Sequence, residues 1–222
     1  MASYRQYCPI ARATELVAER WTLLVVRNMM FGARTFTEIA RGVPAMSRSM
    51  LVKRLGEMER DGLIVVTPKP NGAGSTYSLS EAGADLAAVL DALGGWGTRW
   101  ADITSEHTDP GFALWAWVQV QLNREALPNG RVVVSFTFPD QPSGNRRYWL
   151  LIEHGSAEVC YSEPGGPADV EITAESRAFI DWHRGALSWT DAVRSGRITA
   201  SGRRALVRAV PTWNLRAPVI TA

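Results

Sequence analysis

Apolar residues recur at helical spacing along three segments near the start of the chain. The pattern between residues 11 and 31 predicts one long helix or two short ones, and Thr35 can cap a second helical segment over residues 36–43. Ser47 can then cap a third helix, whose apolar stripe consists of Leu51, Leu55 and Met58. Two short helices separated by a tight turn near residues 43–46 predict a helix-turn-helix.

The pattern changes from helical to alternating directly after the third helix. Residues 63–67 indicate a β-branched strand, residues 68–75 a turn-rich loop, and residues 76–80 a strand that returns antiparallel. A helix-turn-helix followed by such a hairpin predicts a winged helix. The Gly-Ala-Gly sequence at residues 72–74 is also compatible with a nucleotide-binding loop, but that motif needs a helix directly after its glycines, and here a strand follows.

The third helix carries a basic face opposite its apolar stripe. At 100° per residue this face holds Ser49, Lys53 and Arg60. Such a helix is either ordinary solvated surface or a recognition helix whose N-terminal half enters a major groove, with Arg54 nearer a phosphate; the winged-helix order favours the second. The predicted DNA-binding residues are Thr35, Ser47, Arg48, Ser49, Met50, Lys53 and Arg54 in the helix-turn-helix, and Lys69, Asn71, Ser75 and Thr76 in the wing.

A longer helix, capped by Ser80, follows the hairpin. Its apolar face is wider than the core of a small winged helix requires, and its members are Leu86, Val89, Leu90, Leu93, Trp96, Trp100 and Ile103. Together with the first helix, this face is predicted to form a homodimer interface, which would set two recognition helices about one DNA turn, ~34 Å, apart. The alternative is that the face packs against the second half of the chain.

The second half of the chain predicts an α+β domain with an antiparallel sheet. Residues 107–111 indicate a linker, and residues 112–123 can form a helix or a strand, since periodicity does not distinguish the two. The alternation in residues 131–138 is clearer and predicts a strand with one apolar face. Two strands around a turn are predicted in residues 148–162 and another in residues 169–174, followed by helical segments and a short strand.

The composition, 46% hydrophobic and 21% charged residues, is that of a soluble folded protein. No apolar run approaches the ~18 residues of a membrane span, and the first residues lack a secretory signal, so a cytoplasmic protein without membrane association is expected. The net charge is only +2, but residues 1–79 hold eleven Lys or Arg and six Asp or Glu. A basic block at one end suits a module that displaces counterions from DNA phosphates, although basic blocks are also often plain solvated surface.

The sequence contains no catalytic or metal-binding motif. His107, His154 and His183 are scattered, and Cys8 and Cys160 are too few for a disulfide framework or a multi-cysteine zinc site. HExxH, GxSxG and Walker-type sequences do not occur. We therefore expect no enzyme activity, no metal site and no cofactor.

Roughly residues 7–100 resemble the HxlR-type winged-helix regulators, relatives of the MarR regulators. The resemblance rests on CPIARATELVAERWTLLVVRNMMFGARTFTEI, SRSMLVKRLGEMERDGLI and TYSLSEAGADLAAVLDAL. It implies a transcriptional regulator with a DNA-binding and dimerisation domain over residues 1–106, acting on near-palindromic double-stranded DNA. It also implies that Cys8 matches an N-terminal cysteine with which several members sense electrophiles or oxidants. A cysteine beside an apolar helix start is otherwise a buried small hydrophobic residue.

The order of elements after the linker resembles the sterol-carrier-protein type 2 fold, best over ADVEITAESRAFIDWHRGALSWTDAVRSGRITASGRRALVRAV. The resemblance implies a ligand-binding domain over residues 112–222 with a tunnel for an apolar small-molecule effector, which would shift DNA affinity through the helix at residues 80–106. Its alternatives are a scaffold, or a lipid carrier with vestigial DNA binding. The aromatic residues that either line the tunnel or form plain core are Trp149, Phe179, Trp182, Trp189 and Trp213.

Overall fold

The chain folds into two compact units, and its computed structural model describes residues 3–70, 72 and 74–215. Unit 1 is Met1–Asp102 and unit 2 is Ile103–Ala222. Helices and strands occur in both units, which gives the mixed α+β class. Within the described part of the chain, no helix has both the length and the apolar composition that crossing a membrane requires.

Unit 1 has the element order of a winged helix. Its helices and strands are α1 (Pro9–Val17), α2 (Thr22–Met30), α3 (Phe36–Arg41), α4 (Arg48–Arg60), β1 (Ile64–Pro68), β2 (Ser75–Leu79) and α5 (Glu81–Trp100). The first apolar segment therefore forms two helices. They are separated at Trp21, whose φ of +81° lies in the left-handed region that an α-helix cannot include.

The core of unit 1 lies between α2, α3, α4 and the hairpin. The strands pair antiparallel from Ile64 opposite Leu79 to Pro68 opposite Ser75, which confirms the predicted hairpin. The predicted stripe of α4 is buried in this core together with apolar residues of α2 and α3; the main members are Val25, Val26, Met29, Ile39, Leu51, Leu55 and Met58.

Unit 2 is a five-stranded sheet with helices against one face. Its elements are α6 (Pro110–Ala116), β3 (Val132–Thr137), β4 (Arg147–Glu153), β5 (Ser156–Cys160), β6 (Val170–Ala174), α7 (Ser176–His183), α8 (Trp189–Arg194), β7 (Ile198–Gly202) and α9 (Arg204–Ala209). A single π-helical stretch, Trp117–Gln121, extends α6. The segment for which periodicity left helix and strand open is thus helical.

The sheet of unit 2 is mixed, so the prediction of an antiparallel sheet is wrong at one pair. The strand order is β5-β4-β3-β6-β7, and β6 runs parallel to β3 from Val134 opposite Val170 to Thr137 opposite Thr173. The physical reason is the connection after β5. Residues 161–169 carry the chain back across the sheet, so β6 enters beside β3 in the same direction.

Two residues of the predicted linker at 107–111 belong to a helix. Pro110 and Gly111 lie in the first turn of α6, because the Asp109 carboxylate accepts hydrogen bonds from the N–H groups of Gly111 (2.8 Å) and Phe112 (3.1 Å). A carboxylate at this position caps the helix. The division between the two units falls earlier, between Asp102 and Ile103.

The start of helix α5 packs directly against the backbone at the start of the hairpin. The Leu63 carbonyl accepts a hydrogen bond from the Ser80 N–H (3.1 Å), and the Ser80 hydroxyl oxygen accepts one from the Gly83 N–H (3.0 Å). A Cβ atom on Gly83 would lie 2.0 Å from the Leu63 carbonyl oxygen. The absence of a side chain at Gly83 therefore sets how closely α5 docks.

We expect Gly83→Ala to lower the free energy of unfolding by about 3 kcal/mol, the upper range for overpacking, because the clash is with backbone. The matched control is Gly56→Ala in the middle of α4, where the added Cβ would meet only the end of the Arg60 side chain, at 3.9 Å. That variant should gain about 0.5–1 kcal/mol from helix propensity. Urea unfolding measures both, and equal stability of Gly83→Ala and the wild type would contradict the docking geometry.

Candidate nucleic-acid interface

The turn between α3 and α4 is held by two side chains of α2. Asn28 is fully buried, and its Nδ2 donates a hydrogen bond to the Ile39 carbonyl (2.9 Å). The Arg27 guanidinium donates to the Gly42 carbonyl (2.7 Å). Burial lowers the pKa of Arg27 to about 10, so it remains a cation at neutral pH. A Cβ on Gly42 would lie 2.4 Å from Asn28 Nδ2, so this turn requires glycine.

A capping box fixes the first turn of α3. The Thr35 hydroxyl accepts a hydrogen bond from the Glu38 N–H (3.3 Å), and the Glu38 carboxylate accepts from the N–H groups of Arg34 (2.8 Å) and Thr35 (2.9 Å). Burial raises the pKa of Glu38, but these backbone donors outweigh burial and hold the pKa below its ordinary value. Thr35, a predicted DNA contact, therefore uses its hydroxyl oxygen within the fold.

The first turn of α4 presents short polar side chains to solvent. The Ser47 hydroxyl accepts a hydrogen bond from the Met50 N–H (3.2 Å) and lies 3.2 Å from the Ser49 hydroxyl. Ser47, Arg48, Ser49 and Met50 are all exposed. The Arg48 guanidinium lies over the ring of Phe36 in α3, 5.1 Å from its centroid, which orients this cation at the start of the helix.

Lys53 and Arg54, adjacent in sequence, have opposite environments. The Lys53 side chain is 76% exposed, and its ammonium is 3.8 Å from Glu57. The Arg54 side chain is 13% exposed and contacts two carboxylates, Glu57 at 2.9 Å and Glu19 at 3.2 Å. Glu19 lies between α1 and α2, so Arg54 ties that corner to α4. Its predicted phosphate contact stays a prediction, and the two ion pairs argue for a role in positioning α4.

The tip of the wing contains two glycines in the left-handed region. Gly72 has φ +72° and Gly74 has φ +93°. The Lys69 N–H donates to the Gly74 carbonyl (2.9 Å), and the Gly72 N–H donates to the Lys69 carbonyl (3.0 Å). The Lys69 side chain is half-buried. The remaining predicted tip residue, Asn71, lies outside the described residues.

The base of the wing is joined to the helix-turn-helix by a third short strand-like segment. Thr35 forms a bridge to Thr76, whose hydroxyl donates to the Thr67 carbonyl (3.2 Å). Ser75 and Thr76 are half-buried in β2. A backbone bridge therefore links the base of the wing to the start of α3, and the hydroxyl proton of Thr76 is already bonded within the hairpin.

Cys8 lies apart from this surface, at the N-cap of α1. Its side chain is half-buried, and it borders a surface groove whose other lining residues are Tyr4, Gln6, Ile10, Ala11 and Thr14. Its reactivity stays a prediction. Among the described residues, no group of three or more His, Cys, Asp or Glu side chains is arranged to hold a metal ion.

The five aromatic residues predicted to line a tunnel do not form one lining. Phe179, Trp182 and Trp189 contact one another in series, with ring centroids 5.5 and 5.0 Å apart, and Trp213 is fully buried in the same core. Trp149 alternates with the core residues of β4 and therefore faces the other side of the sheet, where Arg147 lies over its ring. The ring contacts of Phe179, Trp182 and Trp189 are those of a packed aromatic core.

Sequence reasoning missed three residues in and around the candidate interface. Phe36, the first residue of α3, lies beneath Arg48. Glu19, in the α1–α2 corner, binds Arg54. Val52 is a strongly exposed apolar residue of α4. The helical wheel places Val52 on a flank of α4, so the sequence contained a signal for its exposure. The partners of Arg48 and Arg54 come from other elements, which a helical wheel does not include.

Comparison with known proteins identifies the family. The model of the HxlR-like helix-turn-helix family matches residues 16–105. The HTH-type transcriptional regulator YvaP of Bacillus subtilis is 32% identical over 101 residues, which are 44% of this chain and 92% of YvaP. An HTH-type transcriptional regulator of Mycobacterium tuberculosis is 38% identical over 93 residues, 41% of this chain; the match spans only 58% of that relative.

A solved structure is also similar, at a lower sequence identity. The reduced form of the transcriptional regulator YodB from B. subtilis is 29% identical, with a TM-score of 0.39, and the match covers 44% of this chain and 97% of YodB. The family assignment rests on the sequence matches. This chain belongs to the HxlR-like helix-turn-helix family.

Proposed function

We propose that the protein is a DNA-binding transcriptional regulator whose helix α4 enters the major groove. The observation that carries this proposal is the asymmetry of α4. Its apolar stripe is buried in unit 1, while Arg48, Ser49 and Lys53 face solvent from its N-terminal half, the half through which recognition helices contact base edges. The relatives' names as HTH-type transcriptional regulators support the same conclusion.

We expect Lys53→Glu to weaken operator binding at least roughly 10-fold and to lower the slope of log K against log salt by about one, since one phosphate-neutralising cation is lost. Fluorescence anisotropy over a salt series, on fragments selected from the host genome, measures both. Arg208→Glu, an equal charge change on exposed α9 of unit 2, is the control and should bind like the wild type. Unchanged binding by folded Lys53→Glu would refute the recognition-helix assignment.

We further propose that the protein acts as a homodimer through α1 and α5. Helix α1 has no buried residue, although nine residues of isolated helix are marginal in water. In α5, Trp96 is 60% exposed and Trp100 68% exposed, on a helix whose second half contributes little to the core of its own unit. Exposed aromatic side chains of this size are typical of an interface. Two copies would present two α4 helices to a near-palindromic operator.

We expect Trp96→Glu to convert a dimer into a monomer at micromolar concentration, because a charge would enter the centre of an apolar interface. Light scattering after size exclusion measures the mass. Val193→Glu on exposed helix α8 carries the same kind of change and should leave the mass unaltered. A wild-type protein that is monomeric at 100 μM, or a dimeric Trp96→Glu variant, would exclude this interface.

Unit 2 is proposed to be a sterol-carrier-like domain that binds an effector. A mixed five-stranded sheet with helices on one face supports this interpretation. The indole N–H groups of Trp117 and Trp213 are buried and meet no acceptor among the described residues, so an apolar ligand that carries one acceptor oxygen would satisfy a buried donor. The second proposed input is oxidation at Cys8, supported by its place at the N-terminus of α1.

One experiment separates the two inputs. Native mass spectrometry of the full chain should find a bound small molecule, and its removal should change operator affinity about 5–150-fold, the range of ordinary coupling energies. Quinone treatment of wild type and Cys8→Ser is the second arm. An effect on DNA binding in the wild type alone assigns the input to Cys8, and no bound molecule with no effect of quinone rejects both inputs.

A further inference from the structure

Helix α4 carries an apolar side chain that its own fold does not use. Val52 is 61% exposed, in the first half of the helix, while the apolar stripe at Leu51, Leu55 and Met58 is buried on a different face. A β-branched residue in an exposed helix interior loses side-chain freedom and gains no packing. Folding of the protomer therefore gives no reason for valine at this position.

The surroundings of Val52 make it prominent. Its neighbours along the helix are the exposed Ser49, three residues before it, and the half-buried Gly56, four residues after it. A Cβ on Gly56 would meet only the tip of the Arg60 side chain, at 3.9 Å, so the surface beside Val52 is shallow. The isopropyl group stands beside this shallow strip, and Lys53 lies beyond the strip, about 100° around the helix from Val52.

The basic residues around Val52 identify the partner as DNA. Arg48 and Lys53 flank it in sequence, and both are exposed cations that suit phosphates or guanine edges. In a major groove the four bases present donors and acceptors, but only thymine presents a methyl group. We propose that Val52 is a specificity-determining residue that contacts the C5-methyl group of thymine in the operator. This inference rests on the proposed function, since it needs α4 in the groove.

Met50, the other exposed apolar residue of α4, is 46% exposed but lies about 160° around the helix from Val52. The two side chains therefore cannot contact the same base edge. Valine has one strongly preferred rotamer in a helix, whereas methionine has three rotatable bonds and adapts to many surfaces. Val52 is thus the residue that can select a methyl group at a fixed position.

The test combines a methyl deletion in the DNA with one in the protein. Each thymine of the selected operator is replaced in turn by deoxyuridine, which keeps the base pair and lacks the methyl. Wild-type affinity should fall roughly 4-fold at one or two positions of each half-site, the value of one buried methyl-sized group. Val52→Ala, an exchange that favours the exposed helix, should bind thymine and deoxyuridine operators equally at those positions.

Val193→Ala, which removes the same atoms from an exposed helical valine of unit 2, is the control and should keep the full thymine preference. Indifference of the wild type to every methyl overturns the inference while leaving DNA binding intact. Persistence of the preference in Val52→Ala, or its loss in Met50→Ala instead, also overturns it. Failure of the full chain to bind any DNA fragment would refute the proposed function itself.

Discussion

The geometry of the helix-turn-helix depends on one buried amide. Asn28 has no exposed surface, and it satisfies the last turn of α3 by donating to the Ile39 carbonyl at 2.9 Å. Without that donor the Ile39 carbonyl would keep only the longer hydrogen bond from the Gly42 N–H (3.3 Å). The amide also occupies the space that any side chain at Gly42 would need. The tight turn before α4 is therefore held from inside the core by a side chain of α2.

Helix α4 divides its residues among three tasks. Its apolar stripe joins the core, Arg54 is paired with Glu19 and Glu57, and the remaining polar face is left to solvent. A largely buried cation with two carboxylate partners is held in place, whereas an exposed lysine keeps the freedom to exchange water for phosphate. A helix that binds a partner firmly must itself be held in place. In α4 the paired arginine holds the helix, and the exposed polar face is left for binding.

Unit 1 exposes large apolar side chains on two of its helices, α1 and α5. The exposed side chains of α1 and of the second half of α5 are large, and they belong to elements with few contacts to their own core. Unit 2 is the opposite case. Most of its aromatic residues are packed ring against ring and buried in the core, although Tyr161 is 46% exposed. The two units therefore differ in how far their large apolar side chains are exposed, and this difference supports the proposed role of unit 1 in forming a dimer.

The sequence by itself determined the periodic elements and their order. The stripe of Leu51, Leu55 and Met58, the hairpin and the family motifs are local patterns, because each depends on residues a few positions apart. Only the tertiary structure decided which charged residues are engaged. Lys53 and Arg54 are adjacent cations in the sequence, and the fold brings Glu19, 35 residues away, against Arg54. The parallel pairing of β3 with β6 likewise depends on how distant segments meet, which no local period encodes. The position of Trp149 on the far face, by contrast, follows from the alternation along β4.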